Sequence, residues 1–172
     1  HSNAYFSGLG PKKRIALFDT LLDNHSEDEI LSIIAHEVGH YKKKHIIANM
    51  IISIIYSGVL LFILSYFLNN PVLFSAFKME ETSIYASLIF FSILYSPIDF
   101  IFSIFLKKIS RNHEFEADYY SIETYGNKES LVNALKVLAI SNLGNLTPHP
   151  MAVTFYYTHP PVIDRIKHIL SI

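Results

Sequence analysis

Two histidines and a glutamate stand at a spacing that suits metal chemistry. His36 and His40 are four residues apart, and Glu37 directly follows the first. On an α-helix, side chains four residues apart lie on one face, so both imidazoles can reach a single ion. Glu37 lies on the adjoining face, where it can hold a water molecule and act as general base on a peptide bond. The pattern predicts a zinc site, although a chain with nine histidines can match it by chance.

A catalytic zinc needs a third protein ligand and one open position. The chain has no cysteine, so the candidates are His45, His113, Glu114 and Glu116. Glu114 and Asp118 are four residues apart, so one carboxylate could bind the metal while the other accepts a hydrogen bond from a ligand histidine. His45 lies roughly 140° from His40 around a helix, which favours an interface histidine near lipid head groups. Glu116 is expected to be a solvated charge, and the whole stretch could be an ordinary charged helix.

The motif lies in a segment that is typical of a helix. Ser26 and Glu29 form a capping-box pattern ahead of isoleucines at helical spacing. Upstream, AYFSG and RIALFDTLL flank the turn LGPKK and predict a β-hairpin. Downstream, further helices are predicted over ISRNHEFEADYYSIETYG, ESLVNALKVLAISNLG and PVIDRIKHIL, and NLTPHPMAVTFYYTHPP is predicted to be a loop.

Two apolar segments separate His40 from Glu114. Residues 46–68 carry no charged side chain and are long enough to cross a bilayer. Residues 83–106 form a second predicted span, in which Pro97 should kink or end the helix and Asp99 should face protein or water. The sequence thus predicts a metalloprotease domain of residues 1–45 and 107–172, interrupted by a transmembrane hairpin of residues 46–106.

Composition and charge agree with membrane contact. Hydrophobic residues make up 51% of the chain and charged residues 17%, and the net charge of −1 argues against a nucleic-acid partner. Lysines 42–44 precede the first span, and Lys107, Lys108 and Arg111 follow the second. The positive-inside rule places both outer ends on the cytoplasmic side. The first residues, HSNAYFSGLGPKKR, lack the features of a signal peptide, so insertion is expected from the internal segments.

Several motifs carry a resemblance that covers almost the whole chain. HSNAYFSGL, KRIALFDTLL, HEVGHYKKKH, SRNHEFEAD, SNLGNL and YTHPPVIDRI occur in this order. The sequence thereby resembles the zinc-dependent CAAX prenyl endopeptidases of the endoplasmic reticulum membrane and their bacterial relatives. The resemblance implies a mainly α (α+β) fold: a zincin-like core with a small β-hairpin and a two-helix transmembrane hairpin inserted between the zinc ligands.

The resemblance also implies roles for individual residues. His36, His40 and Glu114 would bind one zinc ion, Glu37 would be the general base, and Asp118 would support a ligand. His159, in the family's His-Pro element, would stabilise the oxyanion, with Arg165 nearby in the site. From the residues alone, His159 could be a turn residue and Arg165 a helix ion pair.

Three further residues are candidates for substrate contact. Asn49 resembles a family asparagine, and its role stays open. The strand at Asn3 and Ala4 could bind an extended substrate at its edge or could be a plain hairpin strand. Family members have further membrane helices upstream of the HSNAYF element, so the chain is expected to be either the C-terminal catalytic part or a minimal relative.

The sequence therefore predicts a multi-pass membrane zinc endopeptidase with its active site on the cytoplasmic side. The expected location is the endoplasmic reticulum membrane in a eukaryote and the inner membrane in a bacterium. The expected substrate is a prenylated CAAX protein or peptide, from which the C-terminal tripeptide is released. Two alternatives are a quality-control protease related to the heat-shock membrane proteases and a zinc-binding membrane scaffold without turnover.

Overall fold

The computed structural model describes residues 4–7, 14–68 and 70–172, and these are mainly helical. The elements are β1 (Ala4–Ser7), β2 (Arg14–Leu17), α1 (Asp19–Asn24), α2 (Glu27–Lys42), α3 (His45–Phe67), α4 (Pro71–Ala76), α5 (Ile84–Tyr125), α6 (Lys128–Ser141), α7 (Pro150–Tyr156) and α8 (Val162–Ser171). β1 and β2 pair antiparallel, with Ala4 opposite Leu17. The predicted mainly α architecture with a small β-hairpin is confirmed.

The chain divides into two compact units. The first combines His1–Ile46 with Leu106–Ile172, and the second is Ile47–Phe105. The assignment of these units to a protease domain and a membrane hairpin remains a prediction.

Helix α2 begins at the predicted capping box. The Ser26 hydroxyl accepts a hydrogen bond from the Glu29 amide at 3.4 Å, and the Glu29 carboxylate accepts one from the Ser26 amide at 3.0 Å. Three acidic residues in the first turn further stabilise this end of the helix dipole. The helix continues through His36 and His40 to Lys42, so both histidines lie on it as predicted.

Helix α2 packs antiparallel against the C-terminal half of α5, and three contacts fix the register. The Tyr125 hydroxyl donates to Asp28 at 2.7 Å, and the Ser121 hydroxyl donates to the Ser32 carbonyl at 2.8 Å. Further along, Gly39 lies against Ala117: a Cβ at position 39 would be 3.1 Å from the Ala117 Cα. The absence of a side chain at Gly39 therefore lets the two backbones approach closely beside the histidines.

Two apolar clusters stabilise this unit. Leu21, Ile33 and Ala134 join α1, α2 and α6, with Ala4 and Leu17 of the hairpin packed against them. A second cluster joins α6 to α8 through Leu131, Val132, Leu135 and Ile169. The buried Ser32 and Ser130 hydroxyls hydrogen-bond each other between α2 and α6. Helix α8 is thereby attached through α6 to the helix that carries the histidine motif.

The second unit contains apolar helical surface. α3 and α5 are each long and apolar enough to cross a membrane. Large side chains on α3, such as Ile54, Leu61 and Phe62, are more than 60% exposed, which is the pattern expected of a surface that faces lipid. Asp99 accepts a hydrogen bond from the Tyr56 hydroxyl, so its carboxylate faces protein as predicted.

Helix α5 runs without interruption from Ile84 to Tyr125, although two separate helices were expected here. The expectation that Pro97 could end the helix is wrong. Proline lacks the amide that would bond the Ile93 carbonyl, but the Ser96 hydroxyl donates to that oxygen at 3.0 Å. A neighbouring side chain thus satisfies the carbonyl that the proline leaves without its helical partner.

Two shorter segments also differ from expectation. The stretch DTLL, predicted as strand, belongs to helix α1, where Leu21 is fully buried against α2 and α6. The predicted loop after α6 contains helix α7, which begins at Pro150 with the His149 side chain accepting from the Met151 amide at 3.2 Å. Proline at the first helical position favours such a start.

Candidate metal centre

Helices α2 and α5 bring three donor side chains together. The Nε2 atoms of His36 and His40 are 3.1 Å apart. The Glu114 carboxylate lies 3.6 Å from the first and 3.5 Å from the second. Among the described residues this is the group whose geometry could hold a metal ion. His36 and Glu114 are buried and His40 is partly buried, so the donors face one another inside the protein.

These separations fit tetrahedral zinc. With metal–ligand bonds of about 2.0–2.2 Å, neighbouring corners of a tetrahedron are roughly 3.3 Å apart. The three observed separations lie on either side of that value. Two imidazoles and one carboxylate are also a donor set found in catalytic zinc sites, which leave the fourth position open.

Asp118 orients the first histidine. Its Oδ1 lies 2.9 Å from His36 Nδ1, and a carboxylate can only accept, so His36 donates from Nδ1 and presents the lone pair of Nε2 to the site. Asp118 is fully buried, yet both of its oxygens accept from Arg165, at 2.6 and 2.8 Å. Burial opposes ionisation of Asp118, but the Arg165 charge and these bonds outweigh it and lower the pKa of the carboxyl to about 2.

Arg165 connects helix α8 to several carboxylates. Besides Asp118, its Nη1 lies 3.2 Å from Glu114 Oε2. Burial alone would lower the pKa of the guanidinium, but Asp118, then Glu114 and Glu37, raise it. Glu37, half-buried on α2, therefore belongs to the same electrostatic environment as the donors.

His40 is held in the form that can bind a metal. Burial, followed by the charge of His36, lowers its pKa to about 4, so its imidazole is neutral near pH 7. Its Nδ1 contacts His45, which is only 3% exposed. The expectation that His45 is an interface histidine near lipid head groups does not match this buried position.

His159 lies at the rim of the donor group. Its Nε2 is 3.4 Å from Glu114 Oε1, and its side chain is 66% exposed. Arg111 fixes the segment that precedes His159, because its guanidinium donates to the carbonyls of Val153 at 3.1 Å and Tyr157 at 2.7 Å. In the sequence, Arg111 is only one of the positive residues that flank a predicted span, because its neighbours do not indicate these two hydrogen bonds.

Of the three candidates for substrate contact, the structure describes Ala4 and Asn49. Ala4 is in β1 and packs beside Leu21 and Ile33, whereas Asn3 is outside the described residues. Asn49 is exposed on α3, in the second unit. Substrate binding by these three residues remains a prediction.

Comparison with known proteins extends the geometric argument. The sequence profile described as Peptidase family M48 matches residues 1–172. A CAAX prenyl protease 1 homolog of Dictyostelium discoideum is 36% identical over 171 residues. CAAX prenyl protease 1 of Saccharomyces cerevisiae is 32% identical over 182 residues, and an uncharacterized metalloprotease of Bacillus subtilis, YhfN, is 33% identical over 168.

A solved structure agrees with these matches. The crystal structure of S. mikatae Ste24p superposes with a TM-score of 0.86 at 32% identity, covering 98% of this chain and 43% of that one. The three sequence relatives match 96 to 98% of this chain, which spans 39 to 40% of their length. The likeness therefore covers nearly all of this chain and about two fifths of each relative.

Proposed function

The chain belongs to peptidase family M48, and we propose that it forms the zinc-binding catalytic part of a membrane endopeptidase that acts on prenylated CAAX proteins. The observation that carries this proposal is the convergence of His36, His40 and Glu114, at separations of 3.1 to 3.6 Å, beside Glu37. Family membership implies a metal cofactor, and the donor set supports zinc.

Zinc bound to the three donors would supply a Lewis acid that polarises the peptide carbonyl and lowers the pKa of water. The chain supplies the proton transfers. Glu37, on the helix turn between the two histidines, would accept a proton from the attacking water and pass it to the departing amine. A carboxylate suits this role because it accepts a proton as a base and, once protonated, donates it as an acid within the same turnover.

His159 would donate a hydrogen bond to the oxyanion. Its imidazole is mostly exposed, yet its Nε2 stays within 3.4 Å of Glu114, so a substrate could meet it at the mouth of the donor group. A preorganised donor at that position stabilises charge that develops only in the transition state.

The contacts of Arg165 support a positioning role. Its Nε and Nη2 are bonded to Asp118, and its Nη1 faces Glu114. Arg165 would therefore act through these two carboxylates rather than on the substrate directly. Asp118 orients His36, and Glu114 completes the ligand set. The matched test is Arg165→Lys, which keeps the positive charge but cannot donate to both Asp118 oxygens in the same way. This variant should have a lower zinc affinity and a lower kcat.

The membrane setting supports a lipid-modified substrate. Helix α3 and the part of α5 that precedes Glu114 lie in sequence between His40 and Glu114, and both helices are apolar and long enough to cross a bilayer. We propose that they insert as a hairpin, with the protease unit on the cytoplasmic side as the flanking lysines indicate. In a eukaryote the membrane would be that of the endoplasmic reticulum, and in a bacterium the inner membrane.

Metal analysis with a paired cleavage assay tests the function. We expect one zinc per chain and cleavage of a farnesylated CAAX peptide well above that of its unprenylated counterpart. Equal rates on the two peptides would overturn the prenyl assignment in favour of quality-control proteolysis. The name of the Bacillus subtilis relative states only a metalloprotease, which is compatible with quality-control proteolysis. Zinc without hydrolysis of either peptide would support a scaffold instead.

A further inference from the structure

A chain of hydrogen bonds leads from His40 to the surface of α5. His40 Nδ1 lies 3.0 Å from His45 Nδ1, and His45 Nε2 lies 3.0 Å from the Glu116 carboxylate. The His45 ring stacks on His113, with centroids 4.0 Å apart and planes 8° from parallel. His45 is therefore fixed on three sides at the start of α3.

The hydrogens in this chain can be placed by their partners. Glu116 can only accept, so His45 must donate from Nε2. A neutral imidazole carries one N–H, so His45 Nδ1 is an acceptor, and the hydrogen between the two rings belongs to His40 Nδ1. His40 is then left with a lone pair on Nε2, the atom that faces His36 and Glu114.

We propose that Glu116 and His45 are positioning residues that hold His40 in its metal-binding tautomer. The inference rests on the proposed function, in which His40 is a zinc ligand. Asp118 contacts His36 directly, whereas Glu116 would act on His40 through the imidazole of His45. The two ligand histidines are then oriented from different directions, His36 by a buried carboxylate and His40 by a carboxylate that is about half exposed.

The exposed position of Glu116 makes the test clean. Glu116→Ala removes a side chain that is 54% exposed, so the fold should tolerate it. Glu123→Ala is the matched control, because this exposed glutamate lies two helical turns further along α5. His45→Asn and His45→Leu form a second pair, since the asparagine oxygen can still accept from His40 and leucine cannot.

The experiment measures zinc affinity by chelator competition on the protein purified in detergent. We expect Glu116→Ala and His45→Leu to bind zinc about 10 to 100 times more weakly, as is typical when the partner of a ligand histidine is removed. His45→Asn should recover part of the loss, and Glu123→Ala should match the wild type. Thermal unfolding of the metal-free proteins checks that each variant is folded.

Two outcomes separate the inference from the proposed function. Wild-type affinity in both Glu116→Ala and His45→Leu overturns the positioning role and leaves the zinc site intact. Failure of the wild type itself to bind zinc overturns the proposed function, and the inference with it. Equal losses in His45→Asn and His45→Leu would also contradict the tautomer argument, because the retained acceptor would then have no effect.

Discussion

Gly39 of α2 lies so close to Ala117 of α5 that a methyl group at position 39 would sit 3.1 Å from the Ala117 Cα and 3.2 Å from its carbonyl oxygen. Both atoms belong to the backbone, so relief requires the helices to separate. The donors His36, His40 and Glu114 lie on these same two helices. The close approach at Gly39 thus connects the packing of the two helices to the relative positions of the three donors.

Gly39→Ala should therefore weaken zinc binding as well as the fold. We expect destabilisation of about 1–3 kcal/mol, as is typical of overpacking, with a parallel fall in zinc affinity. Gly58→Ala is the control, because a Cβ there meets nothing within 4 Å. Thermal unfolding and zinc titration check both variants, and an unchanged zinc affinity in Gly39→Ala would show that the contact does not set the site's geometry.

Asp118 should make the stability of the metal-free protein depend on acid. Its pKa falls from 3.8 to about 2 in the folded state, so between these values the unfolded chain binds more protons. The stabilisation is complete above pH 3.8, on the order of 2 kcal/mol, and is lost as pH falls through 2. The stability gap between wild type and Asp118→Asn should accordingly narrow from pH 6 to pH 2.5.

Thermal unfolding at these two pH values measures the gap. The exposed Asp23 near the end of α1 supplies the control, since Asp23→Asn should follow the wild type at both pH values. The difference in unfolding free energy between the wild type and Asp118→Asn should change with pH. A constant difference would contradict the ion pair with Arg165 as the cause of the low Asp118 pKa.

Arg111 should affect turnover without affecting metal content. It bonds two carbonyls of the segment that leads to His159, so Arg111→Gln should let that segment move and lower kcat/KM by about tenfold. Lys108→Ala removes a charge from an exposed position on the same helix and should leave kcat/KM unchanged. Loss of zinc in Arg111→Gln would instead indicate that the contact supports the metal donors.

His159 should act on the transition state rather than on the metal. His159→Ala is expected to retain one zinc per chain and to lower kcat by about 100-fold, the effect of removing one oxyanion donor. Steady-state kinetics and metal analysis distinguish the roles. If His159→Ala lost its zinc, the imidazole beside Glu114 would have to be counted among the ligands.

The sequence predicted what local patterns determine. The capping box of Ser26, the spacing of His36 and His40, and the length of the first apolar helix depend on neighbours within a few residues. The spacing of Glu114 and Asp118 made them candidates, but the residues alone left a charged helix surface open, and the family resemblance implied their separate roles.

What the sequence could not predict depends on distant partners. His45 is buried because His113 and Glu116 of α5 meet it, and its lysine-rich flank gives no sign of this. DTLL has a strand-like pattern, but the core formed with α2 and α6 favours a helix. α5 continues through Pro97 because Ser96 satisfies the Ile93 carbonyl, a compensation that a proline rule does not include.

Glu37→Gln tests the central claim most directly, with zinc content and cleavage of a farnesylated peptide measured on the same preparation. The exposed Glu123→Gln on α5 is the matched control. If zinc is bound by His36, His40 and Glu114, and Glu37 is the general base, Glu37→Gln should keep one zinc per chain. Its cleavage rate should fall by about 100-fold or more. Cleavage at the wild-type rate by Glu37→Gln would contradict the account.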